Sequence, residues 1–86
     1  METTRTGVSD RLKAIIAELL EVRAEAIMEE ASFVSDLEAS SLEIAQLATT
    51  IEDEFGVYIS DASLERLVTV RDAIEFVIFP GAAKQH

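Results

Sequence analysis

The sequence contains no cysteine, and its only histidine is the last residue, His86. Without a thiol, the chain has no disulfides, thiolate metal sites or thiol nucleophiles. A histidine at a chain end is a poor place for a rigid general base. The three glycines are too scattered for a phosphate-binding loop, and the acidic residues lack the alternating spacing of an EF-hand. We therefore expect a protein that binds no metal through its side chains and is not itself an enzyme.

Positive charge is also scarce, since the net charge is −10 at pH 7. No Lys or Arg lies between Arg23 and Arg66, whereas Asp and Glu recur throughout that stretch. This balance argues against nucleic-acid binding, because phosphate contacts need Lys and Arg. Two interpretations of the acidic stretch remain. It is a solvated surface that keeps the protein soluble, or it is an electrostatic footprint for basic partners.

Long apolar runs are missing as well, and Met1 to Thr6 is polar. We therefore expect no membrane insertion and no signal peptide, and a cytoplasmic location. The 86 residues suffice for one small domain, residues 1–86. Its expected core covers about residues 8–79, with flexible ends at 1–6 and 80–86.

Apolar periodicity predicts a first helix over about residues 8–22, which either Thr6 or Ser9 would cap. Residues 23–40 lack periodicity and predict a long connection, for which Phe33 and Leu37 are the expected anchors. Ser40-Ser41-Leu42-Glu43 then has the spacing of a capping box with Ser40 as N-cap. The helix that follows carries a buried stripe of Ile44, Leu47, Ala48, Ile51 and Phe55 and stops at Gly56.

The rest of the chain predicts two further helices. Val57 to Ile59 suits an extended connection, after which Ser60 or Asp61 caps a short helix through Leu67. Thr69 caps a final helix that ends at Pro80-Gly81. The predicted fold is all-α: a small irregular bundle of three main helices and one short helix.

Three segments of the sequence resemble the acyl carrier protein family. Ala31 to Leu42 is similar to its signature, in which a Phe and an Asp-Leu pair precede a Gly-x-Asp-Ser-Leu core. Ile51 to Ile59 resembles the end of the family's second helix, and Thr69 to Ile74 resembles the start of its last one. Glu38 stands where the family usually has Gly, and Ser40 where it usually has Asp. These departures favour a discrete carrier of a specialised pathway over the housekeeping fatty-acid carrier.

By itself, the Ser40–Glu43 tetrapeptide indicates only a helix start with an exposed Ser41 hydroxyl. The resemblance implies more: Ser41 matches the serine that receives a 4'-phosphopantetheine arm from coenzyme A, through a magnesium-dependent phosphopantetheinyl transferase. Ser40 is the rival acceptor, and the register of Leu42 and of Asp36-Leu37 favours Ser41. The arm would supply the thiol that this chain lacks, and a helix N-terminus suits the adjoining phosphate.

The resemblance implies a carrier of acyl thioesters in fatty-acid or specialised polyketide or lipid biosynthesis. The alternatives are an aminoacyl or peptidyl carrier, or an unmodified carrier-like interaction domain. The expected partners, besides the transferase, are acyl-transferring and acyl-modifying enzymes that dock through basic patches on a monomeric carrier. The small Ala45 and Ala48 would leave room between helices for an acyl chain. The expected docking residues lie on or beside the outer face of the second helix: Leu42, Glu43, Gln46, Asp53 and Glu54.

Overall fold

A computed structural model describes residues 4–79 of the chain. Its helices are α1 (Arg5–Leu20), α2 (Ser41–Phe55), α3 (Asp61–Arg66) and α4 (Val70–Ile78), with one turn of 3-10 helix at Ala24–Ala26. Within these residues, the only strand-like pairing is an isolated bridge between Ser32 and Thr69. The predicted all-α bundle of three main helices and one short helix is confirmed. The predicted stop at Pro80-Gly81 lies outside the described residues, as do residues 1–3.

Three of the predicted helix starts have the expected caps. The Ser40 and Thr69 hydroxyls cap α2 and α4 in complete capping boxes, with Glu43 and Asp72 as the acidic partners. Of the two candidates for α3, Ser60 is the residue that caps it. α2 ends at Gly56, whose φ of +66° lies in the left-handed region that glycine adopts without a steric penalty.

The start of α1 differs from the prediction, because neither Thr6 nor Ser9 is its cap. Thr4 accepts a hydrogen bond from the Gly7 N–H at 3.0 Å, and the helix begins at Arg5. A Cβ at position 7 would sit 3.0 Å from the Thr4 hydroxyl oxygen, so glycine permits the close approach. Ser9 is instead buried on the inner face of α1. Apolar periodicity missed this first turn because Arg5, Thr6 and Gly7 contribute nothing to the apolar stripe.

The core lies where α1, α2 and α4 meet. Leu12 and Ile16 of α1, Ile51 of α2, and Val70 and Ile74 of α4 have at most 1% of their surface exposed. In the predicted stripe of α2, Leu47, Ala48 and Ile51 are buried, whereas Ile44 and Phe55 are half-buried at its edges. The short helix α3 contributes no fully buried residue. It covers one side of the core and is not part of its centre.

The long connection between α1 and α2 is tied to the start of α4. The Phe33 N–H donates to the Val68 carbonyl at 2.9 Å, and the Val70 N–H donates to the Ala31 carbonyl at 3.0 Å. Phe33 is buried, as predicted, and Leu37 is half-buried. These contacts fix the segment that leads into α2.

Candidate functional site

Ser41 is the first residue of α2, and its side chain is exposed. The preceding Ser40 is the N-cap, and its hydroxyl oxygen accepts from the Glu43 N–H at 3.1 Å. The Glu43 carboxylate in turn accepts from the Ser40 N–H at 2.9 Å. No hydrogen bond within residues 4–79 uses the Ser41 hydroxyl. The two neighbouring serines therefore differ in kind: one hydroxyl is part of the helix cap, and the other is available.

The backbone around Ser41 suits an anion. α2 has 15 residues, and the first N–H groups of such a helix have no intrahelical acceptor. The cap satisfies the Glu43 N–H, whereas the N–H groups of Ser41 and Leu42 have no acceptor among the described residues. With the positive end of the helix dipole, they favour a phosphate attached at this position. The site therefore fits a phosphodiester on Ser41.

A compact turn delivers the chain to this position. The Asp36 carboxylate accepts from the Ser32 N–H at 2.7 Å, and the Ala39 N–H donates to the Phe33 carbonyl at 2.8 Å. Between them, Glu38 has a φ of +56°, a left-handed conformation that costs a residue with a side chain about 1–2 kcal/mol. The Gly of the family signature that this segment resembles is the signal from which the conformation could have been predicted. Glu38 adopts it despite its Cβ.

The outer face of α2 is exposed as the helical wheel predicts. Leu42 has 68% of its surface exposed, and Ala45, Gln46, Thr49 and Asp53 are also exposed. Leu42 is the one large apolar side chain of this outer face, directly beside Ser41. The structure thus brings Leu42 and Gln46 together next to the site, with Asp53 three turns along the helix.

Two of the acidic residues expected on this rim are engaged within the chain. The Glu43 carboxylate is held in the cap of α2. Glu54 forms an ion pair with Arg11, which joins α2 to α1. Contacts within the chain therefore hold both carboxylates in place.

Arginines from outside the acidic stretch also approach two further carboxylates, those of Glu29 and Glu30. Glu29 pairs with both Arg5 and Arg71, and Glu30 pairs with Arg71 at 3.3 Å. These partners are separated by 24 or more residues along the chain. A local scan of the sequence for charge does not show such pairs.

A very small cavity, of about 10 Å³, lies in the interior next to α2. Such a volume is at the lower limit for a single water molecule. Ala48 lines it, as expected, but Ala45 does not, since Ala45 faces the outside of α2. The expectation that Ala45 leaves room inside the bundle is therefore wrong. A chain of several methylenes needs an opening of the bundle.

Two further observations concern the part of the chain between residues 4 and 79. It has no cluster of three or more His, Asp or Glu residues that could hold a metal ion. None of its helices is long and apolar enough to cross a bilayer.

Comparison with known proteins places these features in a family. Residues 10–77 match the family described as "Phosphopantetheine attachment site". The chain is 44% identical over 72 residues to the acyl carrier protein of Zymomonas mobilis, an alignment that covers 84% of this chain and 92% of that protein. It is 43% identical over 73 residues to the acyl carrier protein of Thermosynechococcus vestitus, covering 85% of this chain and 90% of that one.

The fold agrees with this relationship. A solved structure of an acyl carrier protein from Enterococcus faecalis superposes with a TM-score of 0.76 at 29% identity, over 87% of this chain and 95% of that one. Proteins of this family are non-catalytic carriers with a covalent 4'-phosphopantetheine, which is therefore the prosthetic group of this chain. The match over most of the sequence, the helical bundle and the exposed serine at the start of α2 lead to one conclusion: the chain belongs to the acyl carrier protein family.

Proposed function

We propose that this chain is a discrete carrier whose 4'-phosphopantetheine arm is attached to Ser41. The observation that carries the proposal is the difference between the two serines at the start of α2. The Ser40 hydroxyl accepts the Glu43 N–H, whereas the exposed Ser41 hydroxyl takes no part in the cap. When bound, the arm supplies a thiol that holds acyl groups as thioesters, and the chain itself contains no other thiol.

The residues around Ser41 orient and stabilise the attachment. The capping box fixes the direction of the first turn of α2, and the free N–H groups of Ser41 and Leu42 favour the charge of a phosphate there. The ties between the long connection and α4 hold that turn against the bundle. Tethering gives every partner enzyme a high local concentration of the bound group.

We propose that the bound groups are acyl intermediates of fatty-acid or specialised polyketide or lipid biosynthesis. The curated relatives are named acyl carrier proteins, which favours acyl over aminoacyl or peptidyl cargo. Glu38 and Ser40, where the family usually has Gly and Asp, favour a specialised pathway. Because the cavity beside Ala48 is so small, shelter for an acyl chain requires the surrounding helices to move apart.

The proposed partners are a phosphopantetheinyl transferase, which takes the arm from coenzyme A, and enzymes that transfer or modify the acyl group. Their docking surface on the carrier comprises Leu42, Gln46 and Asp53, with Glu43 and Glu54 at its border. The net charge of −10 attracts basic partner surfaces over long range. A monomeric state and a cytoplasmic location remain predictions from the sequence.

Intact mass after incubation with coenzyme A, Mg²⁺ and a broad-specificity phosphopantetheinyl transferase tests the attachment. The wild-type chain is expected to gain the mass of one phosphopantetheinyl group, and Ser41→Ala is expected to gain none. A mass gain that persists in Ser41→Ala contradicts the assignment. No gain in any variant favours an unmodified interaction domain.

The matched control replaces the neighbouring serine without removing the cap. Ser40→Ala is a poor control, because losing an N-cap costs about 1 kcal/mol and loosens the first turn. Asp caps helices about as well as Ser, so Ser40→Asp is expected to keep both the fold and the mass gain. If Ser40→Asp instead abolishes modification while it keeps the fold, Ser40 is the acceptor.

A further inference from the structure

Ser32 organises the turn that leads into α2. Its N–H donates to the Asp36 carboxylate at 2.7 Å, and its carbonyl accepts the N–H groups of Asp36 and Leu37 at 3.0 and 2.9 Å. Its hydroxyl oxygen accepts from the Ser35 N–H at 3.1 Å. The N–H, the carbonyl and the hydroxyl oxygen of Ser32 are thus all bonded within the turn. Asp36 is bonded to Ser32 in both directions, through its N–H and through its carboxylate.

Both ends of this turn are tied to the bundle. At one end, Ser32 forms the isolated bridge with Thr69, the N-cap of α4. At the other end, Ala39 is buried, and its N–H donates to the Phe33 carbonyl at 2.8 Å. A single residue separates Ala39 from Ser41. A change in the shape of the turn therefore changes where Ser41 lies relative to the bundle.

The Asp36 carboxylate supports the shape of the turn but takes no part in the core. The side chain is exposed and forms no ion pair within residues 4–79, where the Ser32 N–H is the donor that it binds. Two residues later, Glu38 has its unfavourable φ of +56°. Such a conformation persists only where the surrounding contacts enforce it. The bond between Asp36 and Ser32 is one of those contacts.

We infer that Asp36 is a positioning residue for transfer of the arm: its bond to the Ser32 N–H holds the turn in the shape that presents Ser41. The inference rests on the proposed attachment at Ser41. In the transfer, the Ser41 oxygen forms a bond to the phosphorus of coenzyme A that carries pantetheine. The bond from that phosphorus to the adenosine bisphosphate breaks, and the hydroxyl proton passes to solvent. Asp36 touches none of these atoms, and it acts through the direction in which the hydroxyl approaches.

Single-turnover transfer, with the transferase in excess over the carrier, tests this role. It gives a plateau rate constant at saturating transferase and the transferase concentration that yields half of that rate. Asp36→Ala is expected to lower the plateau rate constant about fivefold, the equivalent of about 1 kcal/mol for one hydrogen bond. The half-saturating concentration should change by less than about twofold, because the proposed docking residues Leu42, Gln46 and Asp53 are unchanged.

A role in stability alone gives a different result. If Asp36→Ala merely unfolds part of the population, that fraction must refold before it binds, so the half-saturating concentration rises. Saturating transferase then draws all of the carrier into the folded complex, and the plateau rate constant stays at the wild-type value. This outcome would overturn the inference.

A conservative variant and a control identify the group that is responsible. Asp36→Asn keeps a side-chain oxygen that can accept the Ser32 N–H, so it should recover most of the plateau rate constant. If Asp36→Asn transfers as slowly as Asp36→Ala, the charge matters and the hydrogen bond does not, so the inference is wrong. Asp10→Ala is the matched control, since Asp10 is exposed on α1 and has no ion pair within the described residues. An equal loss in Asp10→Ala would also overturn the inference.

The attachment and the positioning role fail in different ways. If the wild-type chain gains no arm, the attachment is wrong and the positioning role falls with it. If the wild type gains the arm at Ser41 and Asp36→Ala reaches the same plateau rate constant, the attachment holds and Asp36 is not a positioning residue. Should Asp36→Ala fail to fold, Asp36→Ser replaces it, because its side chain ends short of the carboxylate oxygens. A wild-type plateau in that variant overturns the inference.

Discussion

Arg5 and Glu29 form a two-pronged ion pair, in which Nη1 and Nη2 of the arginine lie 3.0 and 2.9 Å from the two carboxylate oxygens. The Arg71 Nε lies 3.6 Å from Glu29 Oε1, and the Arg71 N–H donates to the Glu29 carbonyl at 2.8 Å. One carboxylate thus joins the first turn of α1, the long connection and the start of α4. Because that connection leads into α2, the pair helps to hold the segment that presents Ser41.

The Glu29 carboxylate should make the stability of the fold depend on acidic pH. The hydrogen bond from Arg5 lowers the pKa of Glu29 below its ordinary value of 4.5, although partial burial acts against the shift. A carboxyl with a lower pKa in the folded state stabilises the fold fully above its ordinary pKa, and this contribution is lost as pH falls through the folded value. We expect Glu29→Gln to be less stable than wild type at pH 7, and the difference to shrink below about pH 4.5.

Urea unfolding of both proteins at pH 7 and at several acidic pH values measures this difference. Glu25→Gln is the control, since Glu25 is highly exposed and its ion pair with Arg23 is long, with an N–O distance of 4.0 Å. It removes the same charge and should change stability little. A Glu29→Gln deficit that stays constant down to the lowest pH would mean that the carboxylate's charge is not what stabilises the contact.

The caps show which parts of the fold can be predicted from the sequence. The Ser40–Glu43 and Thr69–Asp72 boxes join residues three apart, so their spacing in the sequence is sufficient evidence. The cap at Thr4 escaped prediction, because the first turn of α1 carries no apolar residue that periodicity could detect.

Contacts between distant residues account for what the sequence could not predict about the site. The Leu42 face is exposed as the wheel predicts, since that depends only on helical periodicity. Whether Glu54 is available to a partner depends on Arg11, 43 residues away, and the fold alone brings the two together. The left-handed conformation of Glu38 is a separate case: glutamate itself gives no indication of a positive φ, and the glycine usual at this position in the family signature was the available signal.

The conformation of Glu38 gives a stability prediction. Its φ of +56° is unfavourable for a residue with a Cβ, so Glu38→Gly should relieve strain in the turn before α2. Glycine also gains freedom in the unfolded chain, so the expected net increase in the free energy of unfolding is about 0.5–1 kcal/mol. Urea unfolding measures it, and Glu38→Gln is the control that removes the charge while it keeps the backbone conformation. Equal stabilisation by both variants would show that charge, and not the backbone, is responsible.

The pair of Arg11 and Glu54 predicts how stability responds to salt. Arg11→Gln leaves Glu54 without its partner on an already acidic chain, so the variant should melt at a lower temperature than wild type in low salt. The deficit should narrow as NaCl or Mg²⁺ screens the remaining carboxylates. Arg66→Gln changes the net charge by the same amount, but Arg66 has no ion pair within the described residues. Its melting temperature at low salt should therefore fall less than that of Arg11→Gln. The same low-salt deficit in both variants would assign the effect to net charge alone.

Leu42 and Asp53 predict a division of roles in docking to the transferase. Leu42 is 68% exposed, so Leu42→Ala should leave the melting temperature unchanged. If Leu42 is the apolar anchor beside Ser41, its loss should speed dissociation about five- to tenfold, the effect of about 1–1.4 kcal/mol. Met28→Ala is the matched control, since Met28 is 61% exposed in the long connection.

The charge of Asp53 should instead affect the association rate constant. Asp53→Asn should slow association, most at low salt, and leave dissociation nearly unchanged, because an exposed rim charge chiefly affects encounter. Glu43→Lys is unsuitable for this purpose, since it removes a carboxylate that caps α2. Stopped-flow binding to the transferase, with and without each change, measures the association and dissociation rate constants. All carriers in this experiment have Ser41→Ala, which prevents modification. If the Leu42 and Met28 variants dissociate alike, and the Asp53 variant keeps the wild-type salt dependence, the transferase docks on another face of the carrier.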